Sequence, residues 1–292
     1  MKNVFDYQIE FSGLQNRMAQ MFDPKSGHTV MLAVDHGYFQ GAPAGLINLR
    51  KTIEPLLQYC DAISPTIGGL KTSIDSRMRT PIILRATGGN SMRKPEELDD
   101  EIITVSVEEM VKLNAVGFTV SCYIGLDSQT QTIQNLTSLT EEAHRFGLVS
   151  IGITAVGADP ILTKFVKGER EDGGELTQED KKEAIKYLKH ACRVLSENGA
   201  DIIKTYYCEG FEEVVESCLS PIVIAGGTKR PTKEALEFTY NAIKAGAVGV
   251  DMGRNIFQNE NPVAMIRAVR AVVHENKTAE EALHLYEKYT KE

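Results

Sequence analysis

No apolar run in this sequence approaches the ~20 residues that a membrane-spanning helix needs. The most apolar stretches, 29–34 (TVMLAV) and 221–225 (PIVIA), are far shorter. The opening MKNVFDYQIEFSG lacks the apolar region of a signal peptide, so a cytoplasmic protein with no membrane partner is expected. Metal-type spacing is missing too. The five cysteines (Cys60, Cys122, Cys192, Cys208, Cys218) include no CxxC pair, and the six histidines form no HExxH or HxH. An odd cysteine count without such spacing suits reduced thiols, and no metal is expected at the site. Positive charge is in deficit, 32 Lys and Arg against 40 Asp and Glu, a formal net charge of -8. That field repels nucleic acid, which is excluded as a partner.

The 292 residues are 42% hydrophobic and 25% charged, enough to bury a sizeable core in one large domain or two smaller ones. Short β-branched runs recur at 30–35, 62–64, 81–85, 117–123, 148–153, 201–204, 221–225 and 248–252. They predict eight strands. Helical patterns fill the gaps at 49–59, 107–114, 130–146, 178–198, 211–218, 232–245 and 262–274, several ending at a glycine that suits a left-handed helix cap (Gly147, Gly199, Gly246). The repeat averages about 31 residues, the size of one βα unit. An open doubly wound sheet would place GxGxxG after its first strand, whereas VMLAVDHGYFQG has no such loop. The expected fold is therefore α/β, a single (β/α)8 TIM barrel over 29–292, with an N-terminal extension at 1–28 and a C-terminal helix near 278–291. Leu14, Met18 and Met21/Phe22 make an apolar stripe that covers the barrel bottom or packs on a neighbouring subunit. Between the fifth and sixth strands, 155–176 is long and charged, either a lid or a plain surface loop.

Active sites of this fold lie at the C-terminal strand ends, which selects Asp35, Arg85, Tyr123, Lys204, Gly226-Gly227 and Gly253-Arg254. Alternation puts Lys204 on the same face as Ile202, so if that face is the barrel interior the amine projects into an apolar wall. There it either loses hydration, so that its pKa falls and the free amine can form a Schiff base, or pairs with a carboxylate. Asp35 can salt-bridge Lys204 or move protons at a substrate hydroxyl. His36 can do the same near neutral pH, or simply hold loop backbone. Tyr206, two residues beyond Lys204, is a further proton carrier. Gly226, Gly227 and Gly253 allow backbone N–H groups close to a phosphate, and Arg254 adds charge-assisted hydrogen bonds, with Arg85 nearby. The glycines serve that purpose or only tight turns. Lys229 and Arg230 either add charge or face solvent.

The stretches TVMLAVDHGYFQG (29–41), LRATGGNSM (84–92), DIIKTYY (201–207), PIVIAGG (221–227) and GVDMGRNIFQ (249–258) resemble the archaeal-type class I aldolase family, over roughly residues 14–290. That resemblance implies a (β/α)8 barrel, a Schiff-base lysine at Lys204, an aspartate at Asp35 and phosphate held at Gly226-Gly227 and Gly253-Arg254. It also implies a homo-oligomer built on rings, often a decamer. Within the family the likeness is nearest to a thiolase branch, which implies acetyl transfer from a phosphorylated dione to coenzyme A as co-substrate, releasing dihydroxyacetone phosphate. A true class I aldolase acting on a sugar phosphate, and a non-catalytic sugar-phosphate-binding barrel, are the alternatives. Two positions depart from the family pattern. The aldolases' tyrosine after the fifth strand has no counterpart in 152–160, where Ala158 stands at about that place, and the thiolase branch's Cys-Thr-Arg-Gly is Pro65-Thr66-Ile67-Gly68 here.

Overall fold

A computed structural model describes residues 12–89, 99–156, 161, 163–164 and 174–292. Each of the eight apolar runs forms a strand: β1 (Thr29–Ala33), β2 (Ala62–Ser64), β3 (Ile83–Arg85), β4 (Gly117–Cys122), β5 (Val149–Thr154), β6 (Ile202–Thr205), β7 (Ile222–Ala225) and β8 (Gly249–Met252). Hydrogen-bonded neighbours run in parallel in the order β2, β1, β8, β7, β6, β5, β4, β3. The ends of that series meet through a parallel bridge between Ile63 and Ile82. There Ile63 N–H donates to Pro81 O at 3.0 Å and Arg85 N–H to Pro65 O at 2.9 Å, so the sheet curls into a nearly closed barrel. The predicted TIM barrel is the fold the chain adopts.

Strand alternation divides the core in two. Met31, Ala62, Ile83, Ile151, Ile202 and Val223 point inward and form one buried cluster, while their neighbours Leu32, Ile63, Leu84, Ile203 and Ile224 point outward under the helices and belong to another. The helix Ser12–Met21 completes the inner cluster, since Leu14, Met18, Met21 and Phe22 are all at most 3% exposed and pack with those inner residues. The apolar stripe thus closes the barrel bottom, the first of its two expected roles. Burial of each such side chain contributes roughly 1.5–3 kcal/mol, which fixes the helix there and leaves the opposite end of the barrel as the open one.

Helices occupy the gaps between strands largely where periodicity places them, including Gln129–His144, Gln178–Glu197, Thr232–Lys244 and Pro262–Glu275. The expected 49–59 helix is instead Leu49–Ile53 and a 3-10 turn, Leu57–Tyr59, because Pro55 between them has no N–H to continue the ladder. The C-terminal helix Ala279–Tyr289 starts at a capping box of Thr278 and Glu281. Further elements without a counterpart in the sequence reading are helices Gly37–Gln40, Ile67–Ser73 and Arg254–Phe257, a 3-10 turn Ser76–Met78, and an antiparallel pair of Thr87–Gly88 with Ile102–Ile103. Most of 155–176, including Ala158, lies outside the described residues, as does 1–11. Among the described residues, no helix is long and apolar enough to cross a membrane.

Candidate active site

Two residues beyond the inner apolar layer, alternation brings each strand's next inward side chain to the open end of the barrel. Ile83 is followed by Arg85, Ile202 by Lys204, Val223 by Ala225 and Gly249 by Asp251. Apolar packing gives way here to charge. The layer lines a cavity of about 380 Å3, and every site residue expected from the sequence borders it: Asp35, His36, Arg85, Lys204, Tyr206, Gly226, Gly227, Gly253 and Arg254. Among the described residues, no group of three or more His, Cys, Asp or Glu is placed to hold a metal ion.

Lys204 projects into this cavity with its side chain 11% exposed, and its Nζ donates to Asp251 Oδ2 at 2.7 Å. Asp251, itself 1% exposed, also accepts from Ser64 Oγ at 3.4 Å, and its Oδ1 is buried with no hydrogen-bond partner. Burial pulls the lysine pKa down, but attraction to Asp251 and Asp35 outweighs it, so the net shift is upward. Of the two expected states, pairing with a carboxylate is the one this geometry fits. Desolvation alone produces a free amine only when no carboxylate accompanies the lysine, and here one does. The carboxylate in contact is on β8 and is not Asp35, which lies 3.6 Å from Arg85 Nη1 and 3.7 Å from His36 Nδ1.

His36 is buried just after β1. Burial is the largest influence and lowers its pKa to about 4, with Arg254, Lys204 and Arg85 adding to the fall against Asp35. A neutral imidazole at 3.7 Å from Asp35 is no ion pair and no proton donor near neutral pH. Its ring packs edge-on against Phe257 at 5.3 Å, while its carbonyl accepts from Gln40 N–H at 2.9 Å, so it holds the loop after β1. Tyr206 keeps its phenol proton, because burial raises its pKa against the pull of Lys204 and Arg254.

Arg85 reaches the cavity but is already occupied. Its Nη2 donates to Glu101 at 2.8 Å and also meets Tyr38 OH and Ser121 Oγ, and its Nε donates to Thr87 O at 2.9 Å. Glu101, fully buried, accepts in addition from Thr87 Oγ1 at 2.6 Å, Tyr38 OH at 2.8 Å and Tyr123 OH at 2.9 Å. Burial opposes ionisation of Glu101, yet Arg85 and these donors hold its pKa below the ordinary value. The Arg85 charge is balanced within the wall, which removes it as a free phosphate ligand.

Arg254 differs. Among the described residues it makes no ion pair, and its Nε is buried with no hydrogen-bond partner. It follows Gly253, where a Cβ would stand 2.5 Å from both Ala33 O and His36 Cε1. Gly227, at φ +68°, turns the chain after β7 through the left-handed region. Arg230 folds back to donate to Gly226 O at 2.7 Å and lies over the Phe238 ring at 4.5 Å, so it braces this loop, while Lys229 is exposed. Gly226, Gly227, Gly253 and Arg254 therefore form a cradle with surplus positive charge, suited to phosphate.

Comparison with known proteins gives the family. The DeoC/LacD aldolase family profile matches residues 29–259. The chain belongs to this aldolase family. Over 275 residues, 94% of this chain and 87% of each relative, it is 44% identical to a Pasteurella multocida protein named an uncharacterized aldolase. Over the same extent it is 42% identical to the 3-hydroxy-5-phosphonooxypentane-2,4-dione thiolase of Escherichia coli K12. An archaeal fructose 1,6-bisphosphate aldolase superposes with a TM-score of 0.72 at 22% identity, covering 90% of this chain and 99% of that one. The fructose-bisphosphate aldolase of Slackia heliotrinireducens gives 0.77 at 16%, covering 97% and 95%. At those identities the two structures bear on the fold alone.

Three residues of this DeoC/LacD aldolase site escaped the sequence reading. Asp251 lies inside β8 and not at its end, although alternation from Gly249 would have put it on the inner face. Glu101 immediately precedes the short strand Ile102–Ile103, which pairs with Thr87–Gly88 and carries no periodic signal. Asn255, 2% exposed, donates from Nδ2 to Gly226 O at 2.8 Å and accepts Arg230 N–H at 2.8 Å, lashing the two glycine loops together. The altered Pro65-Thr66-Ile67-Gly68 stretch lies outside the cavity wall. Thr66 Oγ1 there accepts from Gly69 N–H and caps the helix Ile67–Ser73.

Proposed function

We propose that the protein is a lysine-dependent, metal-independent enzyme of thiolase type, which transfers the acetyl group of a phosphorylated dione to coenzyme A and releases dihydroxyacetone phosphate. The observation that carries this reading is the pairing, in one cavity, of a buried amine at Lys204 with a guanidinium at Arg254 that makes no ion pair among the described residues, beside the glycine loops. The amine suits a ketone and the cradle suits a phosphate. Identity of 42% over nearly the whole chain to a protein named 3-hydroxy-5-phosphonooxypentane-2,4-dione thiolase supports that substrate class.

In this mechanism Arg254 and the two loops anchor the phosphate, and the anchored end presents the adjacent carbonyl to Lys204. Lys204 condenses with it to an iminium, losing water. The coenzyme A thiol gives its proton to Asp35 and adds to the acetyl carbonyl. The carbon–carbon bond to the acetyl group then breaks, and its electron pair moves into the iminium to leave an enamine and acetyl-CoA. Asp35 returns the proton to the enamine carbon, with the un-ionised Tyr206 alongside, and hydrolysis frees dihydroxyacetone phosphate and Lys204.

A true aldolase reading is supported by the relative named as an aldolase and by Tyr206, a phenol that keeps its proton and lines the cavity. The phosphorylated dione assayed with and without coenzyme A separates the two. The thiolase reading expects dihydroxyacetone phosphate and acetyl-CoA in equal amounts only when the thiol is present. Dihydroxyacetone phosphate released at full rate without the thiol would reject it.

A further inference from the structure

We infer that Asp251 is the acid–base partner of Lys204: it accepts the ammonium proton that must leave before the amine can attack a ketone, and it returns that proton to the carbinolamine oxygen. This inference rests on the Schiff-base reading above and names a residue that the reading does not require. Lys204 on β6 lies opposite Val223 of β7 and Asp251 on β8 opposite Ala225, so both face inward at the open end of the barrel with β7 between them. Their contact of 2.7 Å is already a proton-transfer distance.

The other candidate bases are worse placed. Asp35 faces Arg85 and His36 at 3.6 and 3.7 Å. Among the described residues, Asp251 Oδ1 is also buried without a hydrogen-bond partner, on a residue that borders the cavity. An unsatisfied buried acceptor is costly unless something meets it during function. A carbinolamine hydroxyl formed at Lys204 supplies a donor of that kind.

The steps balance. The Lys204 ammonium gives one proton to Asp251, leaving a neutral amine and a carboxylic acid. The nitrogen lone pair forms the N–C bond while the carbonyl π pair moves to oxygen, and the nitrogen's second proton passes to that oxygen, giving the carbinolamine. Asp251 then protonates the hydroxyl, the C–O bond breaks with its electron pair leaving in water, and the nitrogen lone pair closes the C=N bond. The carboxylate is regenerated and faces the iminium cation, whose charge it offsets.

The test is rapid mixing of the full-length protein with dihydroxyacetone phosphate, quenched with borohydride at successive times. In Asp251→Asn, with fold checked by circular dichroism and binding by calorimetry, iminium formation near neutral pH should slow about 10^2- to 10^4-fold while the ligand still binds. A residue serving only as counter-ion would give the opposite result, because its removal frees more neutral amine. Trapping by Asp251→Asn at the wild-type rate or faster therefore overturns the inference. In Asp251→Ala, formate should accelerate trapping and chloride should not, and no acceleration by formate likewise overturns it. Wild-type protein that traps nothing at Lys204 would reject the Schiff-base reading itself, whereas normal trapping in both wild type and Asp251→Asn rejects only the role of Asp251.

Discussion

Arg85 and Glu101 form a buried ion pair at 2.8 Å, with side chains 4% and 0% exposed, that joins the end of β3 to the short strand pair above it. Two charges in such a place hold each other's ionised state, and Tyr38, Tyr123 and Thr87 fill the remaining acceptor sites of the carboxylate. Glu101→Ala should strand the guanidinium and cost about 3–5 kcal/mol in urea denaturation. A loss below about 1 kcal/mol would show that the network does not hold this wall.

The barrel was legible in the sequence because eight apolar runs recur at nearly constant spacing, and the strand-end rule then found Lys204, Asp35 and Arg254. Environment was not legible. Whether Lys204 is a desolvated amine or a paired ammonium depends on Asp251, 47 positions away along the chain and in contact only because the sheet brings β6 and β8 together around β7. Arg85 reads as a free cation for the same reason, since Glu101 reaches it from the residue just before a strand pair of two residues each, too short to leave a periodic signature. The helix Ile67–Ser73 contains Gly68 and Gly69, poor helix formers, and is set by its Thr66 cap.

Arg254→Gln should weaken phosphate recognition with little effect on later steps. Losing a hydrogen-bonded charge of about 1.5–3 kcal/mol raises KM for the phosphorylated substrate roughly 10- to 100-fold with kcat nearly kept. Binding of an unphosphorylated dione should be unchanged. Steady-state kinetics on both substrates check this, and an equal loss on the two would remove Arg254 from the phosphate cradle.

His36 should make the protein acid-sensitive. Its pKa is about 4 folded against an ordinary 6.5, so between these values the unfolded chain binds a proton that the folded chain refuses. Stability therefore falls as pH drops from about 6.5 towards 4, by on the order of 3 kcal/mol for this group. His144 has the opposite sign: its hydrogen bond to Asp201 raises its pKa, so its contribution is present below about 6.5 and lost as pH rises through the folded value. Urea midpoints across pH for His36→Phe and His144→Ala should shift in these opposite directions. A His36→Phe protein that loses stability in acid as steeply as wild type would contradict the account.

Gly253→Ala should damage both fold and site. The new methyl would meet Ala33 O and His36 Cε1 at 2.5 Å and Phe257 Cε1 at 2.9 Å, two of them on the rigid β1 side of the cavity. Overpacking of this kind costs typically about 1–3 kcal/mol, and the shift it forces at Arg254 should raise KM as well. Thermal denaturation and kinetics measured together test this, with an unchanged KM arguing against the placement of the cradle.

The central claim is that Lys204 forms the covalent bond to substrate, and borohydride reduction in the presence of dihydroxyacetone phosphate tests it most directly. Peptide mass mapping should find the added mass on the peptide carrying Lys204, and Lys204→Ala should abolish both labelling and turnover. Label on another lysine, or no label with turnover intact in Lys204→Ala, would contradict it.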